Sequence, residues 1–387
     1  QNQFGASNAM AQLGTLANFI AYACMGIPAG HILKRKGYKF TSLAAVLVGL
    51  VGVGIQFASG YVESFGVYVL GAFVAGFSMT MLNIVVNPML NTLGGGGNKG
   101  NQLIQLGGSC NSIGGTIAPI LLGYLIGGQA SEATVADAAP AMIAAMAIFA
   151  LAFVIIALSA IPEPHMETAE EKAARLSGTA KKDPHGPMSF RHFVLGAIAI
   201  FFYVGVEVGI PNTANIYMSG LEGVGPVVAG TIVGFYWFCM MLGRLLGGVI
   251  GGKVSSKQML TFACSLALVF VFCLMFIPET VRMTIPVVGV QVPVSMVFMF
   301  LCGLCTSVMF GSIFNLATEG LGKYTPVASG IFMALICGGG IMPFIQGLVA
   351  DAAGFINSYW VVVAGLAYML LYGLVGSKNV NKDIPVE

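Results

Sequence analysis

Residues 141–161 read AMIAAMAIFALAFVIIALSAI, without a charged side chain, and residues 162–189 then read PEPHMETAEEKAARLSGTAKKDPHGPMS. An α-helix needs about 20 mainly apolar residues to cross a bilayer, and the first stretch meets this requirement. The second stretch is the longest polar interval of the chain, and apolar sequence resumes after Arg191. A membrane span, a charged connection and another span therefore follow one another, which predicts an α-helical membrane protein.

The composition of the whole chain supports this prediction. Of the 387 residues, 57% are hydrophobic and 8% are charged, whereas soluble domains carry about 25% charged residues. A water-soluble fold of this composition would expose large apolar patches and aggregate, so we expect a lipid bilayer to cover the surface. The net charge is +2 and no basic patch interleaved with aromatic residues occurs, so the sequence predicts no nucleic-acid partner.

The apolar stretches predict eleven spans, five before the polar interval and six after it. The spans are 9–33, 41–60, 66–92, 102–127, 138–161, 191–218, 226–250, 259–278, 288–316, 326–350 and 356–376. We expect an N-terminal bundle at 1–161, a cytoplasmic linker at 162–189, a C-terminal bundle at 190–377 and a cytoplasmic tail at 378–387. Within the linker, Thr168 and Glu171 have the spacing of a capping box, which predicts a short surface helix.

The basic residues give the orientation. When the loops are assigned alternately to two sides, 16 of the 17 basic residues fall on one side and Arg282 falls on the other. The positive-inside rule makes the side rich in basic residues cytoplasmic, so we expect a cytoplasmic C-terminus and an external Gln1. The residues on the cytoplasmic side are Lys34, Arg35, Lys36, Lys39, Lys99, Lys172, Arg175, Lys181, Lys182, Arg191, Arg244, Lys253, Lys257, Lys323, Lys378 and Lys382.

The two halves of the chain share a pattern of small residues. Gly115-x3-Pro119-x3-Gly123 in the fourth span matches Gly339-x3-Pro343-x3-Gly347 in the tenth, and Gly26-x3-Gly30 in the first matches Gly243-x3-Gly247 in the seventh. Each second copy lies six spans later. This predicts a six-span repeat whose first copy lacks its leading helix. A binding site between two such repeats is typical of secondary transporters.

Polar side chains within the spans are the functional signal, because they are costly in lipid unless they pair or face water. Amide and hydroxyl groups both donate and accept hydrogen bonds, as sugar hydroxyls do, so we expect a neutral, hydroxylated substrate. Hydrogen bonds between helices, worth about 0.6 kcal/mol each, are the alternative explanation. The predicted substrate-binding residues are Asn83, Asn87, Gln102, Gln105, Ser109, Asn111, Tyr203, Asn215, Trp237, Asn315 and Gln346.

Glu207 is the acidic residue that lies well inside a span. A carboxyl group held away from water can take up and release a proton near neutral pH, which proton coupling requires. A structural, hydrogen-bonded Glu is the alternative. Arg244 lies at the cytoplasmic end of its span beside Gly243, which favours a gating or topological role. The spans contain no nucleophile–base pair or metal-ligand cluster, so we predict neither an enzyme nor a cofactor.

Several stretches resemble the fucose–galactose–glucose:proton symporter family of the major facilitator superfamily. They are Ile27-Pro-Ala-Gly30, Asn83-Ile-Val-Val-Asn87-Pro88, Asn111-Ser-Ile-Gly114, Tyr203-Val-Gly-Val-Glu207-Val208 and Ser312 to Asp351. The resemblance implies an all-α major facilitator fold of two six-helix bundles, the first helix being absent here, and transport by alternating access in the bacterial inner membrane. Glu207 matches an acidic position of the family.

The chain also departs from the family. Asn83 stands where the family's fourth helix typically has Glu, Gly108 stands where its fifth helix has Gln, and the helix with another coupling acid is absent. We expect a monomeric monosaccharide:proton symporter with no cofactor. The alternatives are an amino sugar, an acidic sugar or a drug as substrate, sodium as the coupling ion, or a sugar sensor that does not transport.

Overall fold

A computed structural model describes residues 13–126, 138–178, 183–221, 224–285 and 289–386. The N-terminal half contains α1 (Leu13–Val62), α2 (Phe65–Leu93), α3 (Gly97–Ile126) and α4 (Ala139–Leu158), followed by the short α5 (Ala169–Leu176). The C-terminal half contains α6 (Arg191–Ser219), α7 (Gly225–Ile250), α8 (Ser256–Phe276), β1 (Arg282–Ile285), β2 (Val290–Pro293), α9 (Ser295–Thr306), α10 (Met309–Thr318), α11 (Thr325–Ala334), α12 (Gly338–Ala353) and α13 (Phe355–Leu371). Each predicted span overlaps a helix, and nine helices of the described residues are long and apolar enough to cross a membrane.

The first two predicted spans lie on α1, which changes direction at Gly37. The backbone there has φ 82°, a left-handed conformation that residues with a side chain rarely adopt. The carboxylate of Glu163 accepts hydrogen bonds from the backbone N–H groups of Tyr38 and, at 2.9 Å, Lys39. A carboxylate is favourable at the N-terminus of a helix, so Glu163 stabilises the start of the second helical segment.

Several predictions change in detail. The span 288–316 begins too early, because Val290–Pro293 pairs with Arg282–Ile285 in an antiparallel hairpin and the helix begins at Ser295. The predicted capping box is confirmed, with Thr168 Oγ1 accepting from the Glu171 N–H at 3.2 Å. Residues 9–12, Lys181 and Lys182 lie outside the described residues, as do the surroundings of Gly115, Pro119 and Gly123.

Two predicted spans are broken in the middle. The ninth is divided between α9 and α10 at Ser307 and Val308, and the tenth is divided between α11 and α12 by a 3₁₀ turn at Leu335–Cys337. The backbone at both places keeps right-handed helical torsion angles, so each is a local change in the hydrogen-bond pattern and not an unwound segment. A stretch of 3₁₀ helix within an α-helix often marks a functional hinge, and we call these two places the helix breaks.

One end of the bundle carries most of the basic loops, and we call it the basic end. It is defined by Lys34–Lys39, Lys99, Lys253, Lys257 and Lys323. Both halves meet there in a contact that we call the glycine seam, formed by Gly26 and Gly30 of α1 against Gly330 of α11. A Cβ on Gly330 would lie 2.6 Å from the Gly26 carbonyl oxygen and 3.0 Å from the Gly30 Cα. Small residues permit such close helix contacts in membranes.

A second contact between the halves closes the basic end beside the glycine seam. Asn315 Nδ2 of α10 donates to the Gly97 carbonyl of α3 at 3.1 Å. A Cβ on Gly251 of α7 would lie 3.1 Å from the Cα of Gln102 in α3. The two halves are thus joined on both sides of their interface at the basic end.

We expect Gly330→Ala to lower the thermal unfolding midpoint of the detergent-solubilised protein by several degrees. The added Cβ meets backbone atoms that cannot rotate away, and overpacking of this kind costs about 1–3 kcal/mol. Gly347→Ala is the matched control, because a Cβ there meets nothing within 4 Å. Both variants gain the same helix propensity, so equal midpoints would show that the glycine seam does not stabilise the closed end.

Candidate functional site

A cavity of about 470 Å³ lies between the two halves. It is bounded by α1, α2 and α3 on one side and by α6, α7, α10 and the two helix breaks on the other. Its polar lining residues are Tyr22, Asn83, Asn87, Gln105, Asn111, Glu207, Arg244 and Ser307. The glycine seam lies one to two turns from Tyr22 along α1 toward the basic end, so it separates the cavity from that end.

The wall contributed by the N-terminal half is uncharged and polar. Asn83 Nδ2 donates to the Tyr22 hydroxyl at 2.9 Å and to the Met79 carbonyl at 2.9 Å. Asn87 Nδ2 donates to the Asn83 carbonyl, also at 2.9 Å. Residues four apart share one helix face, which is why both amides reach the cavity. Together they present donors and acceptors to the same space.

The wall contributed by the C-terminal half contains an ion pair. Arg244 Nη2 lies 3.2 Å from Glu207 Oε1, and the two side chains are only 14% and 15% exposed. Arg244 Nη1 also donates to the Ser112 Oγ at 2.7 Å and to the Gly108 carbonyl at 3.4 Å. Because Ser112 and Gly108 belong to α3, the guanidinium of Arg244 contacts both halves of the protein.

Gly108 lies beside this contact, where an added Cβ would make only ordinary van der Waals contact with Arg244. A Cβ at residue 108 would lie 3.6 Å from the Arg244 Cδ and 3.9 Å from its Nε, so a longer side chain would compete for the space that the guanidinium fills. Gly108, one of the positions at which the sequence departs from the family that it resembles, thus lies beside an arginine of the opposite half.

The structure brings six of the predicted functional residues to the cavity. Four are amides and two are the charged residues: Asn83, Asn87, Gln105, Asn111, Glu207 and Arg244. Gln105 also donates to the Val308 carbonyl at 2.9 Å, so it joins the cavity wall to the contact between the halves. Arg244 was expected only at the cytoplasmic end of its span, whereas its long side chain reaches the cavity. The roles of these residues stay predictions.

Seven predicted substrate-binding residues do not line the cavity. Asn315 and Gln102 lie in the contact at the basic end, where Asn315 also donates to the Ser256 Oγ at 2.7 Å. The Ser109 hydroxyl is buried and donates to the Gln105 carbonyl of its own helix at 2.9 Å. Trp237 is 44% exposed on the outside of the bundle. It follows Tyr236, which faces the core, and consecutive helical residues do not share a face.

The other three lie within the C-terminal half. Tyr203 is fully buried, and its ring lies 6.0 Å from that of Phe310. Gln346 is buried against Gly209 of α6. Asn215 lies two turns beyond Glu207, and its carbonyl accepts from the Ser219 hydroxyl at 2.7 Å. These three residues therefore lie within the C-terminal half and are not among the residues that line the cavity.

Tyr22 and Ser307 line the cavity but were not among the predicted substrate-binding residues. Tyr22 sits on a helix whose polar face is short in the described part of the chain. Ser307 lies at the break between α9 and α10, which the continuous apolar pattern did not reveal. The Asn83 amide and the helix break are the structural signals that identify them.

Comparison with known proteins now decides the family. Residues 1–343 match the sequence profile of the Major Facilitator Superfamily. The chain belongs to the major facilitator superfamily. A glucose/galactose transporter of Brucella abortus biovar 1 (strain 9-941) is 30% identical over 382 residues, which cover 98% of this chain and 88% of that protein.

Solved structures agree with this membership. The crystal structure of the Escherichia coli fucose:proton symporter FucP superimposes with a TM-score of 0.81 at 20% identity, covering 97% of this chain and 93% of FucP. A crystal structure of FucP in the outward conformation gives the same TM-score at 21% identity, covering 98% and 92%. This member of the superfamily is a membrane transporter and not an enzyme.

We expect Glu207→Gln and Arg244→Gln each to lower the thermal unfolding midpoint, and the double variant to lose less than the sum of the two. Removing one partner of a buried ion pair leaves an uncompensated charge and costs about 3–5 kcal/mol. Asp183→Asn is the control, because Asp183 is 39% exposed and pairs with Lys323 near the surface, where ion pairs contribute little. Additive losses in the double variant would contradict a coupled pair.

Proposed function

We propose that this transporter is a monosaccharide:proton symporter of the bacterial inner membrane that works by alternating access. One observation carries the proposal: amides and hydroxyls converge on a cavity between the two halves, and its described lining residues include one carboxylate, which is ion-paired. The similarity to a glucose/galactose transporter over nearly the full chain supports a monosaccharide as the substrate.

The cavity suits a small neutral polyol. Its volume of about 470 Å³ lies in the range of small-molecule sites, about 300–1,000 Å³. Each sugar hydroxyl donates and accepts, and so do amide and hydroxyl side chains. Among the described lining residues the charges of Glu207 and Arg244 offset one another. This balance favours a neutral sugar over an amino sugar, an acidic sugar or a cationic drug.

Glu207 is the proposed proton carrier. It is the one carboxylate among the described residues that line the cavity, and Asn83 cannot take this role in place of the family's Glu. When Glu207 is protonated, its attraction to Arg244 weakens. Arg244 also holds Ser112 and Gly108 of α3. The protonation state of Glu207 would therefore change a contact between the halves, which gives Arg244 its proposed gating role.

The direction of transport follows from the basic residues. The positive-inside rule favours a cytoplasmic basic end, and we propose that the C-terminus lies on that side too. The glycine seam and the α3–α7 contact then close the cavity toward the cytoplasm, a state from which an external sugar and proton can enter. We also propose that the unit is a monomer in lipid.

We expect purified protein in proteoliposomes to accumulate a radiolabelled monosaccharide when the proton gradient points inward, and a protonophore to abolish this accumulation. A panel of glucose, galactose, fucose, glucosamine and glucuronate identifies the substrate class, and sodium gradients test the alternative ion. Asn87→Ala removes a lining amide and should weaken sugar binding about tenfold or more. Trp237 faces lipid, so Trp237→Phe should leave sugar binding unchanged. Accumulation that persists with neither ion gradient would rule out symport.

Glu207→Gln should retain exchange of sugar across the membrane but lose uphill accumulation. The amide keeps the shape of the carboxyl group and cannot carry a proton. Counterflow and gradient-driven uptake, measured on the same proteoliposomes, separate the two activities. Uphill uptake at the wild-type level in this variant would remove Glu207 from the coupling mechanism.

A further inference from the structure

The helix that carries Glu207 has a built-in gap in its hydrogen bonding. In an α-helix the N–H of each residue bonds to the carbonyl four residues earlier. Pro211 lies four residues after Glu207 within α6, and Pro has no N–H. The carbonyl of Glu207 therefore cannot be satisfied by its own helix, at the residue whose side chain forms the ion pair.

A tyrosine from the neighbouring helix fills this gap. The hydroxyl of Tyr236 in α7 donates to the Glu207 carbonyl at 3.1 Å. Tyr236 is completely buried, and its hydroxyl also lies 3.0 Å from the Thr306 Oγ1 of α9. The Thr306 hydroxyl is close to the Cys302 carbonyl at 3.1 Å. Three helices thus meet at the one carbonyl that Pro211 leaves open.

Close packing keeps this tyrosine in place. Gly303 of α9 lies against the Tyr236 carbonyl, so near that a Cβ there would collide with it. This approach brings Thr306, one turn along α9, to the Tyr236 hydroxyl. The orientation of the Tyr236 ring is therefore fixed from two sides, by α6 and by α9.

Helix α7 contacts both the backbone and the side chain of Glu207. Tyr236 and Arg244 are eight residues apart on α7, a spacing that returns to the same helix face. Tyr236 binds the backbone of Glu207, and Arg244 binds its carboxylate at 3.2 Å. We propose that Tyr236 is a positioning residue that aligns the Glu207 carboxylate with Arg244 by occupying the carbonyl that Pro211 leaves without a partner. This inference rests on the proposed coupling role of Glu207.

The titratable and charged groups around Glu207 allow a position effect to be separated from a charge effect. They are Arg244 and Tyr236 on α7, Tyr203 on its own helix, and Cys302 on α9 near Tyr236. Tyr236→Phe changes none of the charges in this set, because it removes only a neutral hydroxyl. A changed pH dependence in that variant would therefore report movement of the carboxylate.

The test compares Tyr236→Phe, Pro211→Ala and the double variant. Tyr236→Phe should lower the accumulation ratio about tenfold, as expected for loss of one buried hydrogen bond, and should shift the pH midpoint of uptake. Pro211→Ala restores an N–H four residues after Glu207, so the double variant should return to within about threefold of the wild-type ratio. Tyr359→Phe is the matched control, since the buried Tyr359 hydroxyl donates at 3.0 Å to Ile210, whose helical partner at Ala214 keeps its N–H.

A second measurement needs no transport. The thermal-unfolding coupling between Glu207→Gln and Arg244→Gln is determined in the wild-type and Tyr236→Phe backgrounds, and we expect it to fall in the latter. Unchanged coupling and an unchanged pH profile in Tyr236→Phe would overturn the proposal, as would failure of Pro211→Ala to rescue it. If Glu207→Gln still accumulates sugar, the proposed coupling role of Glu207 fails, yet the coupling measurement still decides whether Tyr236 positions its carboxylate.

Discussion

Arg244 must satisfy its guanidinium from two directions at once. A buried charge is tolerated only when it is paired and hydrogen-bonded, and here the carboxylate comes from α6 while the hydroxyl and carbonyl come from α3. These partners lie in different halves of the chain. The cavity therefore keeps this form only while both halves contribute hydrogen-bond acceptors to the same guanidinium. A change in the charge of Glu207 would alter this contact between the halves.

The contacts at the basic end are of another kind. Gly26, Gly30 and Gly330 meet through backbone atoms alone, and such packing depends on van der Waals contact and the absence of side chains. Opening a contact of this kind breaks no ion pair, and closing it removes no charge from water. The interface thus combines a seam that is easily broken with an ion pair that is sensitive to protonation, which is the combination that alternating access requires.

The sequence was sufficient for the fold because lipid simplifies the physics. Length and apolar content locate membrane helices directly, and the capping box at Thr168 is a local signal. The hairpin around Val290 escaped prediction, since three of the four residues of its second strand are apolar and look like part of the adjacent span. The kink at Gly37 and the break at Ser307 depend on tertiary partners that no local pattern reveals.

The site was predicted only in part for a related reason. Asn83 and Asn87 were identified because residues four apart share a helix face. The position of a face relative to its neighbours is set by packing, so Asn315 and Trp237 point elsewhere. The pairing of Glu207 with Arg244 joins residues 37 positions apart. A single sequence does not show which residues this far apart along the chain come into contact.

The segment between the halves is anchored at both of its ends. Glu163 holds it to the N-terminal half at Lys39, and Asp183, 3.5 Å from Lys323, holds it to the C-terminal half. The Glu167 N–H also donates to the Lys34 carbonyl at 2.8 Å, so the chain that connects the two halves is counted from Glu167 to Asp183. Its middle is already shortened by the helix Ala169–Leu176, at about 1.5 Å per residue instead of about 3.3 Å. The linker thus stores extra length in one short helix. If this helix unwound, the linker would reach further and would let the two halves move further apart.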